Sequence, residues 1–246
     1  MLAIYKREMR AYFASPVGYM FCAIFFAVSA FLFMTYTVQA GSNSSFSSYF
    51  SILLFLFVII IPLITMKLVS EERKMRTDQL IMTAPVTLAG IVFGKYLAAL
   101  TMFGGSFLLS SIVYYIPLSL YGEPNTAMYV GCVLGVFLVG SAFISIGIFI
   151  SSLTENQFIS AFGTIGAIVL LLFISSLNSY INNEFIRNIL SGISITSRYA
   201  YFANGIFSYD SLIYFVSLSA VFLFLTVRVF EKRLSLIHIS EPTRPY

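Results

Sequence analysis

The sequence predicts an all-α integral membrane protein of six transmembrane helices with both ends in the cytoplasm. Three observations carry this reading. Of the 246 residues, 59% are apolar and only 10% charged, whereas a soluble domain carries about 25% charged residues. So few charges cannot cover a surface in water, and most of the chain must meet lipid. Six apolar runs each reach the roughly 20 residues that a helix needs to cross a bilayer. They are continuous rather than alternating, which excludes transmembrane strands. Lysine and arginine gather in alternate connections.

The first element is an N-terminal segment, residues 1–16. Leu2, Tyr5, Met9, Tyr12 and Phe13 recur at helical spacing, Lys6, Arg7 and Arg10 take the other side, and Pro16 breaks the pattern. This predicts a short amphipathic helix lying in the inner interface, apolar face in lipid and cations toward headgroups. The alternative is a basic flank that only fixes topology; the helical spacing favours the interfacial helix. The first apolar run is too long for a signal-peptide core and lacks a clear small-residue cleavage site, so it reads as retained.

The spans are expected at roughly Val17–Val38, Phe50–Met66, Tyr96–Pro117, Met128–Ile150, Phe158–Leu177 and Ser211–Val229. With the N-terminus inside, the inner segments hold eleven basic residues: Lys6, Arg7, Arg10, Lys67, Arg73, Lys74, Arg76, Lys95, Arg228, Lys232 and Arg233. The outer segments hold two, Arg187 and Arg198. That bias sets the orientation. Cys22 and Cys132 fall inside apolar runs and read as small buried hydrophobes, not a disulfide framework.

The Lys67–Lys95 connection is the most informative. Ser70 is placed to cap a helix whose positive first turn suits Glu71 and Glu72. Arg73, Lys74 and Arg76 follow, then Thr77, Asp78, Leu80 and Ile81, and Ala84-Pro85 ends the helix. A second helix then leads from Val86 through Lys95 into the third span. A bare connector would not need a cap, an apolar cluster and a proline stop; a docking surface for a cytoplasmic partner would. Thr154-Glu155-Asn156-Gln157 fits a capping box, with Thr154 as cap and Gln157 three residues on. It predicts a tight cytoplasmic turn between spans four and five, with a weaker partner contact at Glu155 as the further possibility.

Other signals carry less. Gly90-Ile-Val-Phe-Gly94-Lys95 has one residue too few for a phosphate loop, and Tyr96 stands where Ser or Thr should hold magnesium. No metal cluster or catalytic Ser/His/Asp or Cys/His set is apparent. Gly131-x-x-x-Gly135 fits close helix packing, within the chain or between two copies. Asn43-Ser44-Ser45 matches a glycosylation acceptor, a pattern common by chance. Leu234–Tyr246 resembles the translation of a transposase adapter from sequencing libraries; we set it aside from fold reasoning, with a natural polar tail as the alternative, and assign nothing to its His238. The spans hold almost no ionisable residue at mid-depth, where an ion-coupled carrier usually places one. Energy is therefore expected from outside the membrane domain, and a separate cytoplasmic ATPase is the natural supplier.

Three stretches resemble a known family: Tyr5–Pro16, Ser70–Pro85 and Ser151–Gln157 look like the permease subunit of ABC-2-type transporters. The branch they resemble is that of the gliding-motility and nitrous-oxide-reductase accessory transporters, and the resemblance covers nearly all of residues 1–233. It implies six spans with cytoplasmic ends, in a bacterial inner membrane. It implies pairing with a second permease copy or a paralogue, and a separate ABC ATPase subunit that holds the ATP and magnesium. This chain is then no enzyme, carries no cofactor and has no nucleic-acid partner. By the same resemblance Lys6, Arg7, Arg10 and Pro16 belong to an interfacial elbow. Ser70–Pro85 is similar to the coupling helix between spans two and three, and Asn178–Asp210 to a region of short re-entrant or interfacial helices, which fits the spacing of Phe185, Ile186, Ile189 and Leu190. Many members of the wider family carry a glycine before the threonine of the coupling motif, where this chain has Arg76.

Two functions follow as expectations. The first is a transport permease, an exporter by family expectation, in which Glu71, Glu72, Arg73 and Asp78 make charged contacts with the ATPase and Leu80 and Ile81 anchor it. The second is a non-transporting membrane anchor that recruits an ATPase to a motility or secretion machine. Polar side chains such as Ser29, Thr35, Ser160 and Thr164 on a seam between two copies would favour transport. An intramembrane enzyme lacks any catalytic constellation.

Overall fold

A computed structural model describes residues 1–38, 46–77, 86–121, 124–177 and 184–240, and these are helical almost throughout, with no strand among them. Helix α1 is Leu2–Ala14. Ser15 is extended, and Pro16 opens α2, Pro16–Phe33, at the first helical position, where its missing N–H costs nothing. The junction is tight: a Cβ on Gly18 would lie 2.4 Å from the Tyr12 carbonyl oxygen. A π-helical turn, Met34–Val38, completes the first span.

The other spans are α3 (Phe46–Lys74), α4 (Leu88–Tyr121), α5 (Thr126–Leu153), α6 (Gln157–Leu177) and α9 (Tyr209–Ser240). Between α6 and α9 stand two short helices, α7 (Glu184–Ile193) and α8 (Ile195–Ala203), as the spacing of Phe185 and Leu190 anticipated. Among the described residues six helices are thus long and apolar enough to cross a membrane. The spans are longer than their apolar runs. The second run was expected to stop at Met66, but α3 continues to Lys74 with Pro62 inside it.

The helices α3 and α5 form the centre. Buried residues make up 61% and 67% of their apolar stretches, against 22% in α6 and α9, which present apolar faces outward. Large rings fill the core around them, with Phe57, Phe103 and Phe107 in edge and stacked contacts. Gly131 and Gly135 are accounted for inside the chain. A Cβ at these positions would come within 2.6 Å of the Phe202 carbonyl and 2.7 Å of the Phe202 side chain, so the pair seats α8 against α5. Ser194 caps α8 by accepting from Ser197 N–H at 3.2 Å.

Candidate functional site

The basic residues of the expected inner segments gather at one end of the bundle, where α1, the end of α3, the start of α4, the α5–α6 turn and the end of α9 meet, whereas Arg187 and Arg198 lie in α7 and α8. Helix α1 packs on α4 and α2. Its inward face is Ile4, Glu8 and Tyr12, spaced by one turn. The expected apolar face is therefore divided: Leu2 and Phe13 point outward, while Tyr12 is buried and Tyr5 and Met9 pack against the core. Lys6, Arg10 and Pro16 are exposed.

The residue that turns Glu8 inward is Lys95. It lies in the second turn of α4 and its side chain is 0% exposed. An ammonium taken out of water must find a partner for each of its donors. Lys95 Nζ meets Glu8 Oε1 at 3.1 Å and Glu72 Oε1 at 2.8 Å, and donates to the Leu68 carbonyl at 2.6 Å. Arg7 pairs with both carboxylates. Two cations and two anions form a neutral network joining α1, α3 and α4. Burial works against the charge on Glu8, but Lys95 and Arg7 outweigh it and hold the carboxyl below its ordinary value.

The same stretch of α3 is gripped from three sides. Tyr12 of α1 donates to the Ile64 carbonyl at 3.1 Å, Lys95 of α4 to that of Leu68, and Ser151 of α5 to that of Met66 at 3.2 Å. Ser151 Oγ also accepts from the N–H groups of Val69 and Ser70, at 3.3 and 3.1 Å. Three neighbouring helices thus bond directly to the backbone of α3 between Ile64 and Ser70.

The structure corrects two capping assignments. Ser70 does not start a helix: it is buried inside α3, and its hydroxyl donates to the Met66 carbonyl one turn back. The span simply runs on, because nothing between Met66 and Lys74 breaks a helix. Glu71, Glu72 and Arg73 therefore lie in the last turns of α3 rather than in a first turn. The helix ends in a Schellman motif, with Arg76 N–H bonding to the Arg73 carbonyl at 3.1 Å and Thr77 N–H to that of Glu72 at 2.9 Å. The motif needs a left-handed residue, and Arg76 supplies it at φ 57°. Glycine adopts that conformation without a Cβ penalty, so an arginine there is the costlier choice.

The second correction concerns the α5–α6 turn. Helix α6 begins at Gln157, and its cap is Asn156, whose Oδ1 accepts from Phe158 N–H at 2.9 Å. Thr154 instead closes α5, its hydroxyl accepting from Asn156 N–H at 3.1 Å. The threonine is used up inside the turn, and asparagine is a strong cap. Glu155 reaches across to Arg73 at 3.2 Å, and Arg73 also donates to the Ser152 carbonyl, at 3.4 Å; Arg233 of α9 donates to that carbonyl too.

Of the predicted contact residues, Glu72 and Arg73 are therefore held in ion pairs within the chain. Glu71 and Thr77 line a cleft between α1 and the end of α3. Asp78, Leu80, Ile81 and Pro85 lie outside the described residues, as does Asn43-Ser44-Ser45. Sequence reasoning counted Lys95 only toward topology and gave Glu8 no role. A lysine in the second turn of a 34-residue apolar helix was the available signal. The seam candidates Ser29, Ser160 and Thr164 are fully buried within this chain, and Thr35 is half-exposed. Ser29 is engaged with the Tyr114 hydroxyl at 2.8 Å. Among the described residues no three His, Cys, Asp or Glu side chains stand close enough to hold a metal.

The family described as ABC-2 family transporter protein matches residues 2–233, nearly the whole chain. No curated protein matches the sequence.

Proposed function

The chain belongs to the ABC-2 transporter family as a membrane permease component, and from that premise we propose that its basic end is where a separate ATPase drives it. The family implies an ABC transporter with a partner ATPase, and its members are membrane subunits, not themselves catalytic. In this reading the basic end faces the cytoplasm of a bacterial inner membrane, following the distribution of lysine and arginine. Helix α1 is an interfacial elbow, and residues 77–85 continue the segment that the ATPase grips. Two permease copies, or one and a paralogue, pair in the bilayer, ATP and magnesium stay on the ATPase, and the direction of transport is outward. Within the family we read the chain as similar to the gliding-motility and nitrous-oxide-reductase accessory transporters.

The observation that carries this reading is the grip on α3 just before the segment leaves it. A force on Thr77 enters a helix end whose backbone is bonded to α1, α4 and α5. It therefore displaces several helices together instead of bending one strand of chain. Arg73 and Glu155 add a link from the same helix end to the α5–α6 turn, so the two surfaces expected to meet the ATPase are tied to each other.

The test is co-purification with an ABC ATPase co-expressed with this chain from its own genome. Glu72 is unsuited to the test because its loss would break the network, so the variant is Asp78→Ala with Leu80→Ala. We expect binding to be lost in the double variant with thermal unfolding unchanged. An unmodified chain that binds no such ATPase contradicts the proposal. Thr35→Cys, at the far end of the first span, separates transport from anchoring. ATP-dependent change in its labelling supports a permease, and binding without any change favours the anchor.

A further inference from the structure

The cleft between α1 and the end of α3 has a volume of ≈ 370 Å³, and Arg7, Tyr12, Val17, Lys67, Glu71 and Met75 are among the residues that line it. Arg7 is already engaged by Glu8 and Glu72. Lys67 and Glu71 are not engaged: both are half-buried, and neither has an ion-pair partner among the described residues. They stand one turn apart on α3, a spacing at which opposite charges ordinarily pair with each other. Here they remain separate in the wall of an open cleft, one cation and one anion, with the apolar side chains of Val17 and Met75 beside them. Helix α1 forms one wall of this cleft, and its exposed Leu2 and Phe13 are apolar side chains of the kind that an interfacial helix puts into lipid.

We propose that this cleft binds a phosphoethanolamine headgroup, that of a phospholipid in the leaflet on which α1 lies. The proposal goes beyond the transport reading and needs only that the chain sits in a bilayer with α1 at its surface. The lipid phosphate meets Lys67, and the primary ammonium, with three N–H donors, meets Glu71. A choline headgroup has no N–H to offer Glu71. A glycerol headgroup has no cation for it and leaves the carboxylate facing an anionic lipid.

The experiment is native mass spectrometry of the full chain in detergent, with phosphatidylethanolamine, phosphatidylcholine and phosphatidylglycerol of the same acyl composition in equal amounts. The ethanolamine lipid is expected to be retained over the other two by on the order of tenfold. Glu71→Gln should bring the three to parity, and Lys67→Gln should weaken retention of all three, with thermal unfolding unchanged in both. Glycerophosphoethanolamine should displace the lipid from the unmodified chain, and inorganic phosphate should not. Equal retention by the unmodified chain, a selectivity that survives Glu71→Gln, retention unchanged in Lys67→Gln, or equal displacement by phosphate would overturn the proposal. Should either variant fail to fold, selectivity and displacement in the unmodified chain decide it.

Discussion

Lys95 is the residue on which the contact between α1, α3 and α4 turns. Removing one member of a buried ion pair leaves its partner charged and unsatisfied, at a cost of roughly 3–5 kcal/mol. Lys95 has two carboxylate partners, so its loss leaves Glu8 and Glu72 sharing Arg7 alone. Glu8 adds a pH dependence with a definite sign. Its folded pKa is held below the ordinary carboxylate value, so its contribution is present above that value and is lost as pH falls through the lowered one. Thermal unfolding in detergent should therefore hold steady from about pH 7 down to the ordinary carboxylate range near 4.3 and drop below it. Glu8→Gln should be less stable than the unmodified chain near neutrality and should lose much of that acid-side drop. An identical acid profile in Glu8→Gln would mean that other carboxylates set it.

At the scale of the element, the end of α3 is where sequence and structure part company. The sequence shows a Ser followed by two Glu, the usual opening of a helix, and the structure has the last turns of one. Local preference is a weak guide when a helix arriving from the membrane has no reason to stop. The stop is instead a left-handed Arg76, and a left-handed residue with a Cβ costs roughly 1–2 kcal/mol. Arg76→Gly should therefore stabilise the end of α3 by about 1 kcal/mol once the entropy of glycine is set against it. Slower amide exchange at Met75 and Thr77 would register the gain; faster exchange would mean that the arginine side chain holds the turn by some other contact. The capping box at Thr154 failed for a similar reason. The pattern has the right spacing, but Asn156 stands nearer the helix and takes the cap.

For the whole molecule, the six spans were readable because lipid demands long apolar runs, and a run's position survives whatever its neighbours do. The amphipathic character of α1 was readable too, but not which side of it faces the protein. That depends on Lys95, 87 residues away in sequence from Glu8, and periodicity contains no information about such pairs. Likewise Gly131 and Gly135 announced a close approach without naming α8 as the element that approaches. What tertiary structure adds is a block of α1, α3 and α4, locked by one buried ammonium and bonded to α5 through Ser151. Amide hydrogen exchange of the intact chain in lipid nanodiscs, compared with Lys95→Met, tests that block most directly. A block locked in this way should show slow exchange over Ile4–Tyr12 in the intact chain, accelerated on the order of 100-fold in Lys95→Met for a loss of about 3 kcal/mol, with α5 unchanged. Fast exchange of α1 in the intact chain, or no acceleration in the variant, would contradict it.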